Sequence, residues 1–220
     1  MSTTPQTYLF SPPLHAHLTP YIAALHASCI TMDHLSCSPF LPPLTNEKLL
    51  PWWKERIAEA TRGDRLIILL LPETPPNKKA SGTDLRGLAM VKLSQSETGS
   101  FRGRIDALLV DRRYRRQGGA RSLIVAVEYE AARRGRTLLL ADAETGSPAE
   151  AAFKKFGYVE IGKVPGFSRA VESGGNNTTT TRPGGGVVNK KGETFFYKEI
   201  TGGSSTPATT PTATNGTVGL

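Results

Sequence analysis

Two groups of residues in this 220-residue chain have types and spacing suited to chemistry. The first is the turn Arg115-Arg116-Gln117-Gly118-Gly119-Ala120, between an apolar stretch ending at Val110 and an amphipathic one opening at Gly118. Small residues let a ligand approach the backbone, a helix start offers unbonded N–H groups to an anion, and arginines add forked phosphate donors. The spacing is neither Gly-x-Gly-x-x-Gly nor a turn followed by Lys-Ser/Thr, which leaves dinucleotide and P-loop readings with little support. The second group is Asp142, with Glu144 as a weaker candidate, at the end of the apolar run Leu138-Leu139-Leu140-Ala141. A carboxylate at a strand's C-terminal end, where sites often open, is either a functional group or a cap or structural acceptor.

Charge concentrates around the first group. Residues 102–136 hold ten arginines against Asp106, Asp111, Glu128 and Glu130, and so carry +6 of the net charge of +8. That asymmetry points to a polyanionic partner, a nucleic acid or a phosphorylated small molecule, unless it is a solvated helix face. Only Tyr114 interleaves the central arginines, too little stacking surface for nucleic acid.

Periodicity supplies the elements that position these residues. Helices are expected at 20–28 and 45–60, the second capped by Thr45 and kinked or split at Pro51. Strands are expected at 66–71 and 85–93 as a hairpin, and at 104–110. From Gly118, the residues Ala120, Leu123, Ile124, Val127 and Ala131 share one face of a helix that stops at Gly135. A strand at 137–141 comes next, then a helix opened by the capping box Ser147-Pro148-Ala149-Glu150 and closed at Gly157, then strands at 158–162 and 195–200. The order is mixed α/β, with a strand–helix–strand–helix–strand unit in its second half. Residues 9–200 read as one domain after a flexible N-terminus at 1–8; 172–193 is a low-complexity surface insert and 201–220 a disordered tail.

The turn and the segments C-terminal to it resemble a known family. Arg115-x-x-Gly118-x-Ala120 matches the Arg/Gln-x-x-Gly-x-Gly/Ala signature of the GNAT acetyltransferase superfamily. The runs 138–147, Ala149-Glu150-Ala151, 157–162, Pro165-Gly166-Phe167 and Phe195-Phe196-Tyr197-Lys198 are similar to its tabtoxin-resistance acetyltransferase group. Pro39-Phe40-Leu41 and Trp52 resemble the group's N-terminal half more loosely, and the 172–193 insert is longer than its usual loop.

The resemblance implies an α/β (α+β) fold: a mixed, mostly antiparallel sheet with a splayed central parallel strand pair and flanking helices. It implies one acetyl-CoA between the splayed strands, with the pantetheine on the backbone of Leu108, Leu109 and Val110. Arg115, Arg116, Gln117, Gly118, Gly119 and Ala120 would wrap the pyrophosphate with backbone N–H groups, and Arg121 with nearby arginines would take the remaining phosphate. The group's proposed catalytic pair is the aspartate of a Leu-Asp-Thr segment and a tyrosine of the next helix. Here Ala141-Asp142-Ala143 keeps the aspartate, but the tyrosine position is Phe153, which has no proton to give. Without that acid, turnover is expected to fall roughly 10²-fold or more, and Phe153→Tyr to raise it. Tyr158 reads as core.

The expected activity is acetyl transfer from acetyl-CoA to the amine of an amino-acid-like or toxin-like small molecule. The alternatives are a protein lysine or N-terminal acetyltransferase and a non-catalytic acyl-CoA binder. No metal, nucleic acid or membrane partner is expected, and a homodimer is left open. His15, His17, His26 and His34 have no ligand spacing. Trp52 and Trp53 stand where one borders an acceptor pocket and the other is core, and Cys29 and Cys37 match no disulfide or metal framework. No apolar run approaches a membrane span, no secretory signal opens the chain, and the expected compartment is cytoplasmic.

Overall fold

The computed structural model describes residues 5–33, 39–73, 79–169 and 190–201. His34, Cys37, the tail from residue 202 and positions 172–189 of the expected insert lie outside them. In chain order the elements are β1 (Pro5–Leu9), α1 (Pro12–His15), α2 (Thr19–Asp33), α3 (Asn46–Arg62), β2 (Arg65–Pro72), β3 (Gly87–Leu93), β4 (Arg102–Val110), α4 (Gly119–Ala132), β5 (Leu138–Glu144), α5 (Pro148–Lys155), β6 (Val159–Arg169) and β7 (Lys190–Glu199). Seven strands form one sheet in the order β1-β2-β3-β4-β5-β7-β6. Only β4 and β5 are parallel; every other neighbour is antiparallel. This is the mixed sheet the resemblance implies.

Helices cover both faces, and β2 shows why the sheet's centre is apolar throughout. Its Leu66, Ile68 and Leu70 point to a core with Leu123, Ile124 and Val127 of α4. Its Ile67, Leu69 and Leu71 point to a second core with Ile22 of α2 and Leu49 and Trp53 of α3. Side chains alternate across a strand, so a strand buried on both sides reads as an unbroken hydrophobic run.

Several boundaries differ from the sequence-based expectations. Residues 5–8, expected to be loose, lie in β1, whose backbone pairs with β2 from Pro5↔Pro72 to Leu9↔Ile68. So short an edge strand carries almost no periodic signal. Helix α3 runs unbroken through Pro51 rather than splitting there. Leu49 and Trp53, on either side of the proline, are buried in the second core, and packing of this kind outweighs one lost backbone bond. Residues 190–193, expected in the insert, belong to β7. Strand β6 runs past Gly162 to Arg169, with register shifts after Glu160 and Val164.

The α5 start is capped as the sequence indicates in one half only. Ser147 Oγ accepts from Glu150 N–H at 3.2 Å and Pro148 takes the first turn. The Glu150 carboxylate accepts from Gly146 N–H instead of Ser147's, with Lys154 Nζ at 2.9 Å and Lys163 Nζ at 3.2 Å. The Gly146 bond, then the Lys154 contact, hold this carboxyl down at about 2. A carboxyl depressed on folding adds stability that is complete above its ordinary 4.5 and lost as pH falls toward 2. Glu150→Gln is therefore expected to melt below wild type at neutral pH and together with it near pH 2. Thermal melts across pH check this, and a constant gap down to that pH contradicts it.

Candidate active site at the fork between two parallel strands

Parallel pairing of β4 with β5 runs from Arg102↔Leu138 to Ile105↔Ala141 and stops. Beyond it β5 continues along β7, with Asp142↔Phe195 to Glu144↔Glu193, and β4 continues along β3, with Ala107↔Met90 to Val110↔Gly87. The two strands therefore fork. Asp111 N–H donates to Arg86 O on the β3 side at 2.8 Å. Backbone groups alternate between the two edges of a strand, so Leu109 also faces β3 and Leu108 and Val110 face the gap. Of the three residues expected to receive pantetheine, these two have the fitting orientation and Leu109 does not.

Two carboxylates flank the fork. Asp142 is the first β5 residue past the last pair, and Asp106 is the corresponding β4 residue. Asp106 is also the extra residue of a bulge, since Val91 pairs with Ile105 and Met90 with Ala107. An arginine holds each acid. Arg65, 2% exposed, donates from Nη1 to Asp106 Oδ1 and Oδ2 at 2.7 and 2.5 Å, and from Nε to Glu59 Oε2 at 2.6 Å. Arg104, 51% exposed, donates from Nε and Nη2 to Asp142 Oδ1 at 3.0 and 2.6 Å. Desolvation among these neighbours raises the Asp106 carboxyl above its ordinary value, with Arg65 offsetting part of the rise. Glu144 lies one pleat beyond Asp142, bound to Lys191 Nζ at 2.6 Å, and so stands farther from the fork.

At the other end of β4 the chain passes through a short 3-10 turn, Arg112–Tyr114, into α4. Arg116 (φ 62) and Gly118 (φ 85) are left-handed, which turns the chain back so that α4 starts at the open end of the fork. Gly119 packs where a Cβ would stand 2.7 Å from Leu70 Cδ2. No side chain caps the helix and its first turn has no acid. Arg112, Arg116, Gln117 and Arg121 are exposed around it. Unbonded N–H groups, left-handed backbone and exposed guanidinium groups together suit a diphosphate.

The arginine cluster does not act as one patch. Arg113 pairs with Asp111, while Arg133 and Arg134 pair with Glu130 at the far end of α4, about 20 Å away at 1.5 Å per residue. Arg115, expected beside phosphate, turns its side chain inward, with Nε donating to Val110 O at 2.9 Å and Nη2 lying 3.9 Å from Cys29 Sγ. Its side chain therefore braces the turn, and the backbone N–H expected to meet pyrophosphate is a separate group.

The three described histidines, His15, His17 and His26, are held by packing and by contacts within the fold. His15 Nδ1 accepts from Ser11 N–H at 3.0 Å, and His17 Nε2 meets Ala80 O at 2.8 Å. His26 lies among Phe40, Trp52 and Trp53, and burial lowers it to about 4. Trp53 is fully buried, while Trp52 is half-buried beneath the Arg56 guanidinium. No group of three or more His, Cys, Asp or Glu suited to a metal ion occurs among the described residues. No helix among them is long and apolar enough to cross a membrane.

Residues 83–169, from just before β3 to the end of β6, match the family described as acetyltransferase (GNAT) domain. Over that stretch the chain is similar to a GNAT acetyltransferase domain. Its fold is similar to that of an N-acetyltransferase from Staphylococcus aureus Mu50, at 14% identity and TM-score 0.64 over 90% of this chain and 99% of that one. It is similar to yncA from Salmonella typhimurium, solved with acetyl-CoA, at 14% identity and TM-score 0.59 over 93% and 98% of the two chains. A ribosomal-protein-alanine N-acetyltransferase from Brucella melitensis aligns at 17% identity and TM-score 0.58 over 88% and 99%. At these identities the likeness is one of fold.

The matched stretch, residues 83–169, contains both fork carboxylates and the α4 turn. Asp106 stands out in the sequence only as a charge; the single acid within Ile105-Asp106-Ala107-Leu108-Leu109-Val110 was the available signal. Phe153 is 2% exposed, 5.1 Å from the Tyr158 ring and 5.7 Å from that of Phe196 in the α4-side core. Tyr158 is buried there too, and burial followed by the Glu128 charge keeps its phenol protonated. A hydroxyl on residue 153 would enter an apolar cluster. Phe153→Tyr is thus expected to cost about 1 kcal/mol or more of stability and to leave turnover unraised, against the gain expected from sequence. Melting and steady-state rates measured together decide between the two.

Proposed function

We propose that the protein transfers the acetyl group of acetyl-CoA to the amine of a small amino-acid-like molecule. The observation that carries this reading is the fork, an unpaired β4 edge leading from two carboxylates to an uncapped helix start. The similarity of the stretches between residues 138 and 167 to tabtoxin-resistance acetyltransferases supports a small acceptor.

In this reading Leu108 and Val110 bond the pantetheine arm, and the backbone of Gly118, Gly119 and Ala120 the pyrophosphate. Arg112, Arg116 and Arg121 stand near the remaining phosphate. The thioester then lies at the fork, where Asp142 holds the acceptor amine and Asp106 takes its proton. The new bond is nitrogen to acetyl carbon and the broken one carbon to sulfur. The thiolate leaves without a side-chain acid, which an ordinary thiol pKa of about 8.5 permits. A base works best with its pKa near the working pH, and the raised carboxyl of Asp106 suits that role better than an ordinary aspartate.

Thiol release from acetyl-CoA against amino acids, polyamines and an N-terminal peptide tests the reading. Asp106→Asn is expected to lower kcat by roughly 10²- to 10⁴-fold and to remove the acid limb of the pH–rate profile. Asp142→Asn is expected to raise the acceptor KM more than it lowers kcat. Turnover of the peptide alone would move the acceptor to proteins. Acetyl-CoA binding without any turnover would leave a non-catalytic binder.

A further inference from the structure

Arg65, Lys92 and Arg104 stand in one row across β2, β3 and β4, paired Arg65↔Lys92 and Lys92↔Arg104. Strand alternation puts all three side chains on the α3 face, the face of Asp142. Like charges directly opposite on neighbouring strands destabilise a sheet, so the row needs anions. Arg65 has Glu59 and Asp106. Arg104 has one oxygen of Asp142, which takes both Nε and Nη2. Lys92 is exposed and has no carboxylate within bonding distance among the described residues. Lys92 and Arg104 line a groove of about 600 Å3 with Gln95, Ser96 and Leu140. Its acids are already engaged, Glu59 by Arg65 and Asp64 by Arg62 at 3.0 Å.

The Arg104–Asp142 pair has capacity to spare at both ends. Arg104 keeps Nη1 beyond the two donors it uses, since a guanidinium carries five N–H groups. Asp142 Oδ2 accepts no hydrogen bond among the described residues. A cation with an open donor therefore lies beside an anion with an open acceptor, one residue from the fork. An α-amino acid presents the complementary charges at similarly close range.

We propose that Lys92 and Arg104 form the seat for a carboxylate on the acceptor, so that the substrate is a free amino acid or a close zwitterionic relative, its ammonium on Asp142 Oδ2. The proposal rests on the acetyltransferase reading and names its substrate class. A protein N-terminus has no carboxylate at that position and would leave Lys92 and Arg104 without an anion.

The test uses the full chain with acetyl-CoA and matched acceptors: free amino acids, their C-terminal amides and the decarboxylated amines. The wild type is expected to favour acid over amide by about tenfold or more in kcat/KM, the scale of one charge-assisted hydrogen bond. Lys92→Gln is expected to collapse that preference through the KM of the acid, and Lys92→Arg to restore it. Equal use of acid and amide by the wild type, or an equal loss for both in Lys92→Gln, overturns the proposal. If acetyl-CoA binds and no amine is consumed, the acetyltransferase reading fails separately. Calorimetric titration of acid and amide into the CoA-loaded protein then judges the seat. Acid-selective binding that Lys92→Gln removes upholds it, and equal or absent binding overturns it.

Discussion

Two parallel strands share a ladder only while they stay about 4.8 Å apart, and β4 and β5 hold that spacing for four residue pairs, ending at Ile105↔Ala141. The rest of the site depends on this separation. It leaves the N–H and C=O groups of Leu108 and Val110 facing the gap with no β5 strand to bond them, and such groups call for some other partner. Val110 O is already served by the Arg115 guanidinium, and the remaining groups suit an extended amide-bearing ligand. The divergence is maintained from both sides. β3 holds β4 through Val110, β7 holds β5 through Glu144, and the bulge at Asp106 bends β4 where pairing ends.

The fork's two carboxylates are stabilised on different physical terms. The Arg65–Asp106–Glu59 group is nearly closed to solvent at the guanidinium. Burying such a charge has a large desolvation cost, recovered only when every partner is in place. That arrangement fixes Asp106 and rules out much rearrangement around it. The Arg104–Asp142 pair is half open to water on the arginine side, where a contact of this kind contributes little to stability and its atoms can turn to a ligand. A rigid acid and an adaptable ion pair thus face each other across the gap.

Much of this was legible in the sequence because it is written in local patterns. Residues 66–71 announce a strand buried on both faces. The spacing of Leu123, Ile124, Val127 and Ala131 announces a helix with one apolar face, and the Gly118-Gly119 turn before it announces where that helix begins. Other features had no local signal. β1 is too short and mixed, and the continuity of α3 through Pro51 comes from Leu49 and Trp53 packing on the sheet. The inward turn of Arg115 depends on a carbonyl and a cysteine contributed by other elements.

The sequence by itself determined the mixed α/β order, the glycine-containing turn between β4 and α4, and an acid near the end of β5. Each rests on periodicity or turn chemistry within a few residues of itself. The tertiary structure decided which side chains meet: Asp106 opposite Asp142, an arginine on each, and Lys92 beside Arg104. It also placed Phe153 in the core. The meetings of strand residues follow from register and the bulge in β4, which join residues far apart in the chain. A shift of a single residue would send those side chains to the opposite face, whereas Phe153 is placed by the packing of α5.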